Sequence, residues 1–170
     1  GDGGHGPDGT VAPVTTPDHA VRVERVSPAA THGLRGRVLR PGAPPERVRW
    51  AHDDLPDTAA FAATDEDGAV VGTAVVYPEP CPWRPDTAGA WRLRGMATDE
   101  ARRSAGIGTA VLDAVIAHVA GAGGSLVWCN ARVPARRFYE RAGFEAHGDE
   151  WDDPEIGPHI AMWRPISPRR

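Results

Sequence analysis

The sequence predicts an α/β (α+β) domain built on a mixed sheet. Three observations predict it. Short apolar or alternating runs of strand length recur along the chain, as in Ala20-Val-Arg-Val-Glu-Arg-Val26. Ile107, Val111, Ala114, Val115 and Val119 repeat at helical spacing between two such runs. Asp65-Glu-Asp-Gly68 joins two further runs as a hairpin turn. The resulting order is strand, helix, hairpin, strand, helix, strand, helix, strand, strand, which is that of a helix-flanked sheet.

Residues 1–19 are rich in Gly, Pro, Asp and Thr and nearly lack large apolar side chains, so they are expected to be disordered or loosely ordered, leaving 20–167 as one domain. The first residue is Gly and not Met, which fits processing or a boundary placed within a longer chain. Ala20–Val26 alternates as a half-buried strand. Ala30–Arg40 is a helix with Leu34, Val38 and Leu39 on one face, stopped by Pro41-Gly-Ala-Pro-Pro45. An irregular stretch to Pro56 holds Trp50, His52, Asp53 and Asp54. Thr58–Thr64 and Ala69–Tyr77 form the hairpin, and Pro78–Gly89 is a proline-rich loop. Ala90–Thr98 is the next strand, and a helix runs from Gly106 to Ala120, where Gly121 and Gly123-Gly124 end it. Ser125–Asn130 is a buried strand, Pro134–Ala142 a helix ended by Gly143, and strands near Glu145–Trp151 and His159–Arg164 complete the chain.

At 170 residues the chain suits a single domain with a sizeable core. Hydrophobic residues make up 41% and charged residues 25%, as in an ordinary globular protein, and the net charge of −4 argues against a nucleic-acid-binding surface. Every cationic side chain is Arg, so a P-loop or Schiff-base lysine is excluded. Cys81 and Cys129 stand alone without metal-ligand spacing, so no metal is expected, and a reducing, cytoplasmic setting fits them. No apolar run approaches the length of a membrane span, and no signal-peptide core is evident.

Arg102-Arg-Ser-Ala-Gly-Ile-Gly-Thr109 carries the strongest chemical signal. A glycine turn opening a helix gathers unpaired N–H groups and the positive end of the helix dipole, and that combination binds phosphate. Arg103 stands three residues before Gly106, where it can reach the same anion. Lysine is missing for a P-loop, and Val111 occupies the third glycine of a dinucleotide fingerprint. A turn with a purely structural role remains an alternative at this point.

The order strand, Arg-x-x-Gly-x-Gly, helix, strand, then a helix with Phe138-Tyr-Glu-Arg-Ala-Gly-Phe144 resembles the GNAT superfamily of acetyl-CoA-dependent N-acyltransferases. The resemblance covers roughly residues 58–164, and Ile156-Gly-Pro-His-Ile-Ala-Met162 resembles a branch ending in a Pro-His-x-x-Met strand. It implies a mixed, mostly antiparallel sheet of six to seven strands, splayed centrally and flanked by about four helices. It implies that Met96, Ala97 and Thr98 pair with the pantetheine arm, with an amide near Met96 stabilising the oxyanion. Arg103, Ser104, Ala105, Gly106, Ile107, Gly108 and Thr109 would cradle the pyrophosphate, Asn130 and Phe138 would contact the cofactor, and Tyr139 would protonate the departing thiolate. Two positions depart from the superfamily pattern: Arg132 stands where many members have Asn, and Arg94 where some have a general-base Glu.

For the acceptor side the candidates are His159 as base, since imidazole changes charge near neutral pH, and Trp50, Asp53 and Arg94 as substrate contacts. Glu150, Asp152, Asp153 and Glu155 would attract a cationic amine, whereas Arg92 and Arg94 would favour an acceptor bearing a carboxylate or phosphate. The expected activity is acetyl transfer to a primary amine of a small molecule by direct attack in a ternary complex, by a monomer or homodimer. An acyl-CoA-binding module without catalysis, a protein or peptide N-acetyltransferase, and a nucleotide-binding regulatory domain are the alternatives.

Overall fold

The computed structural model describes residues 14–15, 20–103 and 105–168. Its strands are β1 (Val14–Thr15), β2 (Ala20–Val26), β3 (Ala59–Thr64), β4 (Val70–Pro78), β5 (Ala90–Thr98), β6 (Leu126–Arg132), β7 (Glu145–Asp153) and β8 (Gly157–Pro165). They form one sheet in the order β1-β2-β3-β4-β5-β6-β8-β7, antiparallel throughout except between β5 and β6. Seven of these strands are the full-length ones anticipated; β1 adds two residues from the segment expected to be loose, paired with Ala20 and Val21. The remainder of that segment lies outside the described residues.

The described residues hold three α-helices, α1 (His32–Leu39), α2 (Ile107–Gly121) and α3 (Arg136–Arg141), where about four were expected. The proline-rich stretch after α1 forms only the 3-10 turns Pro45–Val48 and Ala51–Asp54, because proline lacks the N–H that an α-helix interior needs. Pro134 has the same effect before α3, whose first turn is the 3-10 segment Val133–Ala135. No helix among the described residues is long and apolar enough to cross a membrane.

The main core lies between α2 and the sheet, with Val23, Phe61, Val76, Leu93, Val111, Val115 and Val119 at its centre. Gly72 sets how closely α2 docks: a Cβ there would stand 2.7 Å from the Ile107 Cγ2. The same helix makes the crossover from β5 to β6, and this connection is what allows the parallel pair.

That pair is short. Only Ala90–Arg92 pairs with Leu126–Trp128, while β5 runs on to Thr98 and β6 to Arg132. Beyond the pair β6 stays with β8, up to Arg132 opposite His159, and β5 stays with β4. The sheet therefore divides at its centre, and the β5 backbone from Leu93 onward has no strand on its β6 side.

Candidate active site

A bulge marks the divided part of β5. Pairing with β4 moves from Val75 opposite Arg94 to Thr73 opposite Ala97, so Gly95 and Met96 together face Ala74. Gly95 adopts φ +64°, a left-handed conformation that favours glycine. The Thr73 hydroxyl donates to the Gly95 carbonyl at 3.1 Å. In a trans peptide the carbonyl and the following N–H point in opposite directions, so the Met96 N–H is aimed away from Thr73. Met96 lines a cavity of about 300 Å³ in the gap between the strands.

The start of α2 lies close to the end of β5. Gly106 is the residue before the helix, at φ +81°, and no side chain caps the helix. The first-turn N–H groups have no acceptor within the helix. A Cβ at Gly108 would come within 3.3 Å of the Phe138 ring and 3.4 Å of the Thr98 hydroxyl, so glycine lets the helix end, β5 and α3 converge. The two arginines of this turn have different surroundings. Arg102 is held by Asp65 of the hairpin turn at 2.8 Å, with 24% of its side chain exposed. Arg103 is 58% exposed and among the described residues pairs with Glu100, at 3.8 Å, across a solvated contact. Ser104 lies outside the described residues. An unpaired strand edge leading to an uncapped, glycine-opened helix is a fit for a pantetheine arm and a pyrophosphate.

Tyr139 enters the cavity from α3 with 5% exposure. Burial, then the adjacent Cys129 thiol, hold its phenol well above the usual value, so it keeps its proton. Burial likewise pushes the Cys129 thiol up to about 12, which leaves it a poor nucleophile at neutral pH. Phe138 packs edge-on against Tyr139, with its ring against Gly108 and not in the cavity lining. Asn130 also lines the cavity, exposed on β6.

His159 closes the far side of the cavity from β8. Its Nδ1 lies 2.8 Å from the Gly157 carbonyl oxygen. A carbonyl only accepts, so Nδ1 carries the proton and Nε2 of the neutral ring keeps its lone pair. Trp151 stacks on the ring with centroids 5.7 Å apart.

The charge of the lining is predominantly positive. Arg40, Arg92, Arg94 and Arg132 contribute, against Asp153 alone. Arg92 is paired with Glu79 at 3.1 Å. Arg40, Arg94 and Arg132 have no ion-pair partner among the described residues. Arg132 donates to the Leu39 carbonyl at 2.7 Å. Burial lowers the pKa of both Arg94 and Arg132; Tyr77 opposes it at Arg94 while Arg92 and Arg35 add to it, and at Arg132 Arg40 adds to it while Asp153 opposes it. Arg94 is legible as a candidate from its strand position, whereas the helix-end position of Arg40 carries no signal until α1 packs beside β5. Arg132 stands out in the sequence only as a departure from the expected Asn.

Asp53 is placed differently from the expectation that it contacts substrate. It does not line the cavity: its carboxylate accepts from Arg35 at 2.8 and 3.2 Å, from His32 at 2.9 Å and from the Trp50 amide at 3.2 Å. Trp50 does line the cavity, with the Arg94 guanidinium 4.0 Å from its ring centroid. Trp83, the other loop tryptophan, stacks instead on His147 outside the cavity. No group of three or more His, Cys, Asp or Glu suited to a metal occurs among the described residues.

Residues 34–144 match the sequence profile described as the Acetyltransferase (GNAT) family. The Bacillus subtilis (strain 168) protein YitI, an uncharacterized N-acetyltransferase, is 31% identical over 150 residues, spanning 88% of this chain and 99% of YitI. Among solved structures, Escherichia coli ElaA superposes with a TM-score of 0.69 at 17% identity, covering 85% of this chain and 99% of ElaA. The ribosomal-protein-S18-alanine N-acetyltransferase of Escherichia coli superposes with a TM-score of 0.68 at 17% identity, covering 88% of this chain and 96% of that one.

Proposed function

This chain belongs to the GNAT family of acetyltransferases, and on that premise we propose that it moves the acetyl group of acetyl-CoA to the primary amine of a small acceptor that also bears an anionic group. The observation that carries this reading is the cavity at the divided strands, where Met96, Tyr139, His159 and three arginines without ion-pair partners among the described residues meet. Its volume of about 300 Å³ is at the small end of ligand pockets.

The residues divide the work as follows. The free edge of β5 at Met96, Ala97 and Thr98 would receive the pantetheine arm as an added strand, and the α2 start from Ala105 to Thr109, with Arg103, would hold the pyrophosphate. Acetyl-CoA supplies the activated thioester. Nε2 of His159 would take the proton of the attacking ammonium, directly or through water. The Met96 N–H would donate to the oxygen that gains charge as the amine attacks. Tyr139, kept protonated by its burial, would give its proton to the departing sulfur. Arg94, Arg132 and Arg40 would bind the anionic group of the acceptor; three partly buried cations facing the single lining carboxylate of Asp153 are costly, and such an acceptor offsets that cost. Arg94 stands where some superfamily members have a base Glu, and His159, with Nε2 free to accept, is the lining residue to which we assign that step.

The test is release of free thiol from acetyl-CoA with a panel of amines, each paired with its uncharged amide or ester, and with peptides bearing free N-termini. Turnover confined to the acid-bearing small amines is expected. Stabilisation of the fold by acetyl-CoA without thiol release from any amine would favour a binding module. Absence of stabilisation at about a hundred times a typical dissociation constant would remove the donor assignment.

A further inference from the structure

We propose that Trp50, backed by Arg35 and Asp53, is a specificity-determining positioning residue that fixes the Arg94 guanidinium in the acceptor cavity; the inference rests on the transferase reading above. Arg35 on α1 is fully buried. Its guanidinium donates to the Val48 carbonyl at 2.6 Å, to the Thr31 hydroxyl at 3.1 Å, and to both Asp53 oxygens at 2.8 and 3.2 Å. The Trp50 amide and His32 complete the carboxylate. Neither Arg35 nor Asp53 of this network lines the cavity.

Its effect reaches the cavity through the indole. The Arg35 guanidinium carbon stands 3.9 Å from the Trp50 ring centroid and that of Arg94 stands 4.0 Å from it. The one indole therefore packs against both guanidiniums. Arg35 is held there by hydrogen bonds to the protein, whereas Arg94 has no ion pair among the described residues. An aromatic face attracts a guanidinium without occupying its in-plane N–H donors. Arg94 is thereby oriented beside the buried Tyr77 hydroxyl, while its charge stays available to an acceptor carboxylate or phosphate. The same stack also bears on the bulge: a Cβ at Gly95 would meet the Arg35 Nε at 3.2 Å and the Trp50 Cζ3 at 3.4 Å.

The experiment compares acceptor KM values for a carboxylate-bearing amine and its uncharged amide in the wild type, Trp50→Leu, Trp50→Phe and Arg94→Lys. Trp50→Leu should raise KM for the charged amine on the order of tenfold, with KM for the amide and for acetyl-CoA unchanged and kcat moving less. Trp50→Phe should restore most of the loss. Arg94→Lys, whose ammonium cannot stack flat or bind bidentately, should show the same selective defect. Equal losses on charged and uncharged amines, or no rescue by Phe, would overturn the proposal. If Trp50→Leu does not fold, the selective defect of Arg94→Lys and the near-normal behaviour of Trp50→Phe decide it. Wild-type protein that releases no thiol with any amine would instead sink the transferase reading, and equal wild-type use of charged and uncharged amines would sink anion selection and this proposal with it.

Discussion

The Thr73 hydroxyl and the Gly95 carbonyl are joined by a buried hydrogen bond of 3.1 Å. That bond turns one peptide group of β5 so that the next N–H, of Met96, faces away from β4 and toward the gap between the strands. A threonine in the interior of a strand thus orients the donor assigned to oxyanion stabilisation.

Thr73→Val removes the donor and leaves the Gly95 carbonyl buried and unpaired, a loss of about 1–3 kcal/mol. Gly95→Ala places a Cβ in a left-handed position at φ +64°, at about 1–2 kcal/mol, and against the Arg35–Trp50 stack. Both variants should melt earlier and lose kcat more than acetyl-CoA affinity. Chemical denaturation with steady-state kinetics checks this; unchanged kcat in the two would remove the role given to the bulge.

Tyr139→Phe should lower kcat by about 10²–10⁴-fold with acetyl-CoA binding retained, as read by thiol release and by titration of the cofactor. Burial holds the wild-type phenol well above its usual value. A raised folded value means that the stability it contributes is complete below the unfolded value of about 10 and is lost as pH rises beyond it. The acid should therefore remain functional through the alkaline range where free tyrosine begins to ionise.

His159→Ala should reduce kcat/KM by about 10²-fold or more, and imidazole added to the assay should recover part of the lost rate. Recovery by imidazole separates loss of a base from loss of packing against Trp151. A variant with wild-type kcat/KM would show that water alone removes the proton.

Arg103→Ala should raise KM for acetyl-CoA several-fold, and less so as salt increases. Arg102→Ala should leave that KM alone and instead lower the melting temperature slightly, since its guanidinium is held by Asp65 of the hairpin turn at 2.8 Å. The reverse pattern would exchange the two assignments.

Burial alone would raise the Asp53 pKa, but hydrogen bonds from Arg35, His32 and the Trp50 amide outweigh it and leave the carboxyl below its usual range. A depressed folded value gives stability that is complete above the unfolded value of about 4 and is lost as pH falls through the folded one. The melting temperature should therefore drop in that acid window. Asp53→Asn should start lower near neutral pH and show a flatter acid slope; identical slopes would mean that other groups govern acid unfolding.

Much of this was present in one dimension. Hairpin, crossover helix and final strand pair were legible because turn residues and periodicity are local properties. The anion-binding turn was legible for the same reason, since Gly106 and Gly108 act on the backbone of their own helix. Tyr139, His159, Met96 and Arg94 could be named from motif resemblance. What sequence alone could not decide was which side chains share a space. Asp53 looked like a cavity residue until packing gave it to Arg35 and His32. Arg40 and Arg132 are 92 residues apart in numbering, and only the placement of α1 beside the divided sheet puts both on the cavity with Arg94. The sign of the pocket, left open by an acidic run and two strand arginines, is decided by that assembly, because electrostatic environment depends on distance through space and on which charges already have partners.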